Sequence, residues 1–171
     1  MSLGTRKAVH ISFVAKDIEK VMTAWGSLLG MEECPRIWNI PGPETAPTYT
    51  NGHLELYRDC RISVIELDNL VLEVVQPGDE PSPWKTFLEK HGEGFMHIAF
   101  LVPDEQEAVR SIKEVTGVDG CYHIGYYPNQ SYAFYDTFET LKTELNIKAD
   151  RDNTGLIRDV LLSLSKESGL D

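Results

Sequence analysis

Two histidines and two glutamates stand at matched places in this chain, and together they have the makings of a divalent-metal site. His10 lies in "AVHISFVAKD" and His97 in "FMHIAFLVPD", each followed at the same interval by an aspartate, Asp17 and Asp104. Glu73 lies in "NLVLEVVQP" and Glu144 in "TLKTELNI", each at the same distance after a leucine, Leu70 and Leu141. Val9 and Ile11 flank the first histidine and Met96 and Ile98 the second, so strand alternation turns both imidazoles away from their apolar neighbours. A glutamate inside "LVLEVV" would cost on the order of several kcal/mol if buried without compensation. A cation would supply it. Two neutral imidazoles and two carboxylates suit one divalent first-row ion (Co, Ni, Mn, Zn or Fe) and differ from the cysteine-rich ligand sets of structural zinc. Four such ligands in an octahedral field leave two adjacent positions for water or substrate oxygens, where a carbonyl would be polarised.

The elements that must carry these residues also repeat. Residues 8–15 alternate as a strand, and Asp17 is placed to cap a helix bearing Ile18, Val21, Trp25 and Leu28, closed by Gly30. Residues 95–102 form the matching strand. Asp104 caps the matching helix, with Glu107 set to complete a capping box, an apolar face of Ala108, Ile112 and Val115, and Gly117 at the end. Further strands are expected at 31–38, 61–67 and 70–76, then at 120–126, 132–135 and 141–147. Residues 39–52, rich in Pro, Gly and Thr, read as a loop. Ser82, Pro83, Trp84, Phe87, Leu88 and Gly92 mark a short helix.

The fold class expected is α+β: two tandem βαβββ modules forming a curved mixed sheet around a metal-binding cavity, with helices outside. The first module takes residues 8–80, a linker with the short helix 81–94, and the second module 95–147. Residues 1–7 form an N-terminal segment whose first four residues look like an expression leader and carry no fold meaning. Residues 148–171 form a tail with a helical stripe of Leu156, Ile157, Val160, Leu161 and Leu164.

A net charge of −11 over 171 residues argues against nucleic acid as a partner. No apolar run approaches the roughly 18 residues of a membrane span, and no signal peptide opens the chain, so a cytoplasmic protein without membrane attachment is expected. Cys34, Cys60 and Cys121 show no CxxC pairing and read as reduced thiols. Arg58, Arg61, Lys85 and Lys90 are the cations available to an anionic substrate tail. Tyr122, Tyr126, Tyr127, Tyr132 and Tyr135 cluster in the second module, where alternation can turn some of them toward a cavity.

Over residues 8–147 the chain resembles the vicinal oxygen chelate superfamily, which includes glyoxalase I, bleomycin-resistance proteins, extradiol dioxygenases and methylmalonyl-CoA epimerase. The resemblance rests on "HISFVAKDIEKVMTAWGSLLGME", "LVLEVVQP" and "PSPWKTFLEKHGEGFMHIAFLVPD", and "FLEKHGEG" with "HIAF" is most similar to the epimerases. It places the family's metal ligands on His10, Glu73, His97 and Glu144. It implies an enzyme that abstracts a proton alpha to a carbonyl through a metal-stabilised enolate, with Glu144 as first candidate for the base and Glu73 as second. A methylmalonyl-CoA-epimerase-like isomerase leads. A glyoxalase-I-like lactoylglutathione lyase is the alternative, followed by a ring-cleaving dioxygenase or a non-catalytic small-molecule binder. "YDTFETL" stands where glyoxalase I relatives carry a "DPDG"-type turn. The partner implied is a small molecule with vicinal oxygens, of acyl-CoA or hemithioacetal type. A homodimer is left open.

Overall fold

A computed structural model describes residues 1–55, 57 and 59–167 of the chain. In chain order the elements begin with β1 (Ala8–Val14), α1 (Ile18–Leu28), β2 (Ile37–Asn39), β3 (Thr48–Thr50), β4 (His53–Leu54), β5 (Arg61–Glu66), β6 (Val71–Gln76) and α2 (Pro83–His91). They continue with β7 (Gly94–Leu101), α3 (Glu105–Thr116), β8 (His123–Tyr127), β9 (Gln130–Tyr135), α4 (Phe138–Leu141), β10 (Glu144–Asp150) and α5 (Thr154–Glu167). The fold is α+β. Two compact units divide it: Ala8–Ile40 with Tyr57–Ala99, and Met1–Lys7 with Pro41–Leu56 and Phe100–Asp171.

In the first unit the strands run in the order β2-β5-β6-β1-β7. β1 and β6 are parallel, whereas β5 is antiparallel to both β6 and β2. The register sets Phe13 beside Val74, Ile11 beside Leu72 and Ile65 beside Leu72, so these side chains share one face. Helix α1 covers it: Ile18 and Met22 are fully buried against Ile65, Leu72 and Val74, with Val21, Trp25 and Ile37 packed around them. Asp17 caps α1 by accepting from the Lys20 N–H (3.0 Å). Leu28, expected on the apolar stripe, is exposed, and Met22 and Gly26 are buried instead. Beyond Gly30 (φ +68°) the chain doubles back over α1, and a Cβ at Gly26 would lie 3.1 Å from Pro35 Cδ. That return run occupies the segment expected to be strand at 31–38, and only Ile37–Asn39 pairs with β5. The short helix forms as α2, with the Ser82 hydroxyl accepting from the Lys85 N–H (3.1 Å) and Gly92 at φ +80°.

In the second unit the order is β10-β9-β8-β3-β4, antiparallel at every pairing. Segment 39–52 is therefore not all loop. Thr48 pairs with Gly125 and Thr50 with His123, so a stretch inserted in the first repeat becomes a strand beside β8 of the second. The β-branched Thr-Tyr-Thr run suits a pleated strand, whereas Pro41, Pro43 and Pro47 before it lack the N–H that a ladder needs. Asp104 caps α3 by accepting from the Glu107 N–H (2.9 Å). The Glu107 carboxylate accepts from Arg110 (2.8 Å). The N-terminal segment, given no fold meaning above, does pack: Ser111 Oγ donates to the Ser2 carbonyl (3.2 Å), and a Cβ at Gly4 would lie 2.9 Å from Pro103 Cγ. The tail forms α5 with Val160 buried, and the tail residues after 167 lie outside those described.

Candidate metal centre

Three of the four sequence-predicted ligands meet within the first unit. Alternation along β1 sends Ile11 and Phe13 toward α1 and leaves His10 and Ser12 on the opposite face of the strand. The register sets Glu73 beside Ser12, and its neighbours Leu72 and Val74 belong to the core under α1. His97 comes from β7 and is completely buried, and His10 is nearly so. His10 Nε2 lies 2.8 Å from His97 Nε2, and His97 Nε2 lies 3.9 Å from Glu73 Oε1. One donor atom from each residue falls within 4.8 Å of the other two.

The two closest separations, 2.8 Å and 3.9 Å, are near those of donors on one ion. Donors about 2.1 Å from one metal lie about 3.0 Å apart when adjacent and about 4.2 Å apart when opposite. Two buried imidazole nitrogens with a carboxylate that is only 16% exposed could hold a metal ion of the nitrogen/oxygen-preferring divalent kind. Ser12 adds a second observation. Its hydroxyl oxygen is buried on the same face without a hydrogen-bond partner among the described residues. A buried polar atom is normally satisfied, so an orphan beside three ligating groups marks a place for a ligand or ordered water. The sequence reading passed over Ser12, although it shares the alternation that singled out His10.

Glu144 lies in the second unit as the first residue of β10 and is 8% exposed. Leu145, Ile147 and Ala149 form the apolar side of that strand, so Glu144 and Asn146 point to the other side. The Tyr122 phenol donates to Glu144 Oε2. Near it, His123 Nδ1 lies 2.8 Å from Thr50 Oγ1, and the His123 ring contacts Phe134 (centroids 4.7 Å) and Tyr132 (5.8 Å). Tyr132 lies across Gly125, where any Cβ would fall inside its ring.

Burial pushes the His123 imidazole down from 6.5 to about 3. The folded protein thus resists a proton that the unfolded chain accepts near 6.5. The associated stability is complete above pH 6.5 and falls as the pH drops toward 3. Between pH 6.5 and 4.5 the loss amounts to about 2–3 kcal/mol. In urea unfolding, His123→Gln should therefore lose less stability than the parent over this interval. Parallel pH profiles for the two proteins would count against a buried neutral imidazole.

Two of the candidate cations are engaged elsewhere. The Arg61 guanidinium donates to Glu19 and to Gln76 (2.8 Å), and Lys85 Nζ donates to the Asp79 carbonyl. Arg58 lies outside the described residues. Burial raises the Cys60 thiol to about 12, so it offers no thiolate near neutral pH.

A sequence profile described as the glyoxalase/bleomycin resistance protein/dioxygenase superfamily matches residues 9–118. The chain belongs to this superfamily. No curated protein sequence matches it. Solved structures of similar fold include a hypothetical protein from Bacillus halodurans C-125, 21% identical over 85% of this chain and 95% of that one, with a TM-score of 0.57. The methylmalonyl-CoA epimerase of Mycobacterium tuberculosis is 17% identical over 91% and 95% of the two chains (TM-score 0.56). A variant of the Streptomyces coelicolor epimerase, solved with 2-nitronate-propionyl-CoA, is 16% identical over 84% and 94% (TM-score 0.55). In this superfamily member the His10, Glu73 and His97 group is able to hold one divalent ion. Among the described residues no helix is long and apolar enough to cross a membrane.

Proposed function

We propose that this superfamily member is a divalent-metal-dependent isomerase that removes and returns a proton alpha to a carbonyl, acting on an acyl-CoA thioester in the manner of a methylmalonyl-CoA epimerase. The observation that carries this reading is the convergence of His10 Nε2, His97 Nε2 and the Glu73 carboxylate. Glu144, at the matching place in the second repeat, is proposed as the fourth ligand. Bound by these residues, Co, Ni, Mn, Zn or Fe in its divalent form would supply Lewis acidity toward a substrate carbonyl oxygen.

The chain's own groups do the rest. His10 and His97 present their Nε2 atoms in a buried setting. Glu144 takes the alpha proton, and Glu73, its counterpart in the first repeat, is the second carboxylate available to return one. Inversion at carbon needs proton transfer on both faces of a planar centre, so the reading calls for two carboxylates. The likeness in fold to epimerases, one solved with an acyl-CoA analogue, supports a thioester substrate.

Metal-reconstituted protein in deuterium oxide, offered methylmalonyl-CoA or the methylglyoxal–glutathione hemithioacetal, tests the reading by mass spectrometry. Deuterium should enter the alpha carbon of the thioester, and chelator should prevent it. Conversion of the hemithioacetal alone would make the protein a glyoxalase-type lyase. Exchange into neither would favour a small-molecule binder.

A further inference from the structure

The face of β1 that carries His10 changes character at Ser12. Alternation puts His10, Ser12 and Val14 on that face in turn, and the register sets Ser12 beside Glu73 and Val14 beside Val75. Val14 and Val75 are buried and close one side of Ser12, while His10 and Glu73 lie on the other. Ser12 is itself completely buried, and its hydroxyl has no hydrogen-bond partner among the described residues. The two other buried serines of this unit are both satisfied. Ser63 Oγ donates to the Arg36 carbonyl (2.8 Å), and Ser82 Oγ accepts from the Lys85 N–H (3.1 Å). An apolar side chain at position 12 would pack as Val14 does, with no polar atom to satisfy. A hydroxyl kept there costs stability until something meets it. Its polar neighbours on the face, His10 and Glu73, belong with His97 to the candidate metal group, and all four residues lie in one compact unit. Three protein donors leave the coordination of a divalent ion incomplete, so an oxygen from water or from a ligand completes it.

We propose that Ser12 is a specificity residue of this site, whose hydroxyl hydrogen-bonds a carbonyl or carboxylate oxygen of a small ligand that enters beside His10 and Glu73. The role rests on the functional reading above, in which His10, Glu73 and His97 hold the ion. A serine hydroxyl can both accept and donate. It accepts from a water and donates to a carboxylate, so one side chain serves the site with either. A donor aimed at an oxygen that carries or gains negative charge favours it over a neutral one. Ser12 thus selects oxygen anions among the molecules that reach the ion.

The test uses the full chain loaded with cobalt(II) and titrated with oxalate, with affinity read by calorimetry and by the visible spectrum. Ser12→Ala removes the hydroxyl and little volume. It should leave cobalt affinity near the parent's and raise the oxalate Kd by roughly 10–100-fold, the scale of a hydrogen bond to a charged group. The metal-free variant should melt at or above the parent's temperature, because it sheds a buried group that has no partner. A clearly lower melting temperature would make Ser12 a structural residue and overturn the proposal. So would an oxalate Kd that Ser12→Ala leaves unchanged, or a cobalt-loaded parent that binds no oxalate. A cobalt Kd that rises in Ser12→Ala would make the hydroxyl a partner of the ion, and not of the ligand. His10→Ala keeps the two readings apart. If it weakens cobalt binding while Ser12→Ala leaves oxalate binding intact, only the role of Ser12 falls. If it binds cobalt as tightly as the parent, the metal reading falls and takes the role of Ser12 with it.

Discussion

Replacing His97 with alanine should abolish the metal response of this protein while leaving a folded chain. His97 is completely buried, and its Nε2 lies 2.8 Å from His10 Nε2 and 3.9 Å from Glu73 Oε1. Its loss removes one of the three clustered donors, and the metal Kd should rise by more than about 100-fold, beyond the roughly 10–100-fold of an outer-shell change. In the parent, metal at 100 times its Kd adds about 2.7 kcal/mol to stability. For a chain of this size that corresponds to about 5–10 °C in melting temperature. Scanning fluorimetry with and without chelator should show this drop for the parent and none for His97→Ala. An equal drop in both would mean that the metal sits elsewhere. An unchanged parent, once metal removal is verified, would mean that the site is not coupled to the fold.

Glu144→Gln should separate the ligand role from the base role. Glutamine keeps the shape and a carbonyl oxygen able to bind an ion, but it cannot take a proton. With metal in excess, the variant should remain loaded. Its deuterium exchange at the alpha carbon should fall by roughly 100-fold or more, the scale of general-base catalysis. Should excess metal restore the rate instead, Glu144 would be a ligand only, and Glu73 would become the base to test.

Much of this protein could be read from local pattern. The paired runs at His10–Phe13 and His97–Phe100 mark two equivalent strands because alternation has a period of two and needs no distant partner. Asp17, Ser82 and Asp104 mark helix starts because a cap bonds within its own turn. Glu73 stood out because a carboxylate in an apolar strand demands compensation wherever the strand is placed. The sequence reading failed where the deciding contact lay far along the chain. It took 31–38 as a strand, and the return of Pro35 over Gly26 claims most of that segment. Leu28, expected on the buried stripe, is exposed, and α1 turns Ile18, Met22 and Gly26 inward.

Residue types and their spacing determined that this chain repeats one strand-and-helix plan, and that its histidines and Glu73 turn away from the helix-covered face. Only the tertiary structure decided that His10 and His97 come within 2.8 Å, that Thr48–Thr50 joins β8, and that Tyr122 reaches Glu144. Alternation and capping are written in neighbouring side chains. Pairing between distant strands is made by backbone groups that every residue shares, so no residue type announces it, and which edge is open to receive a strand exists only once the rest of the sheet has formed.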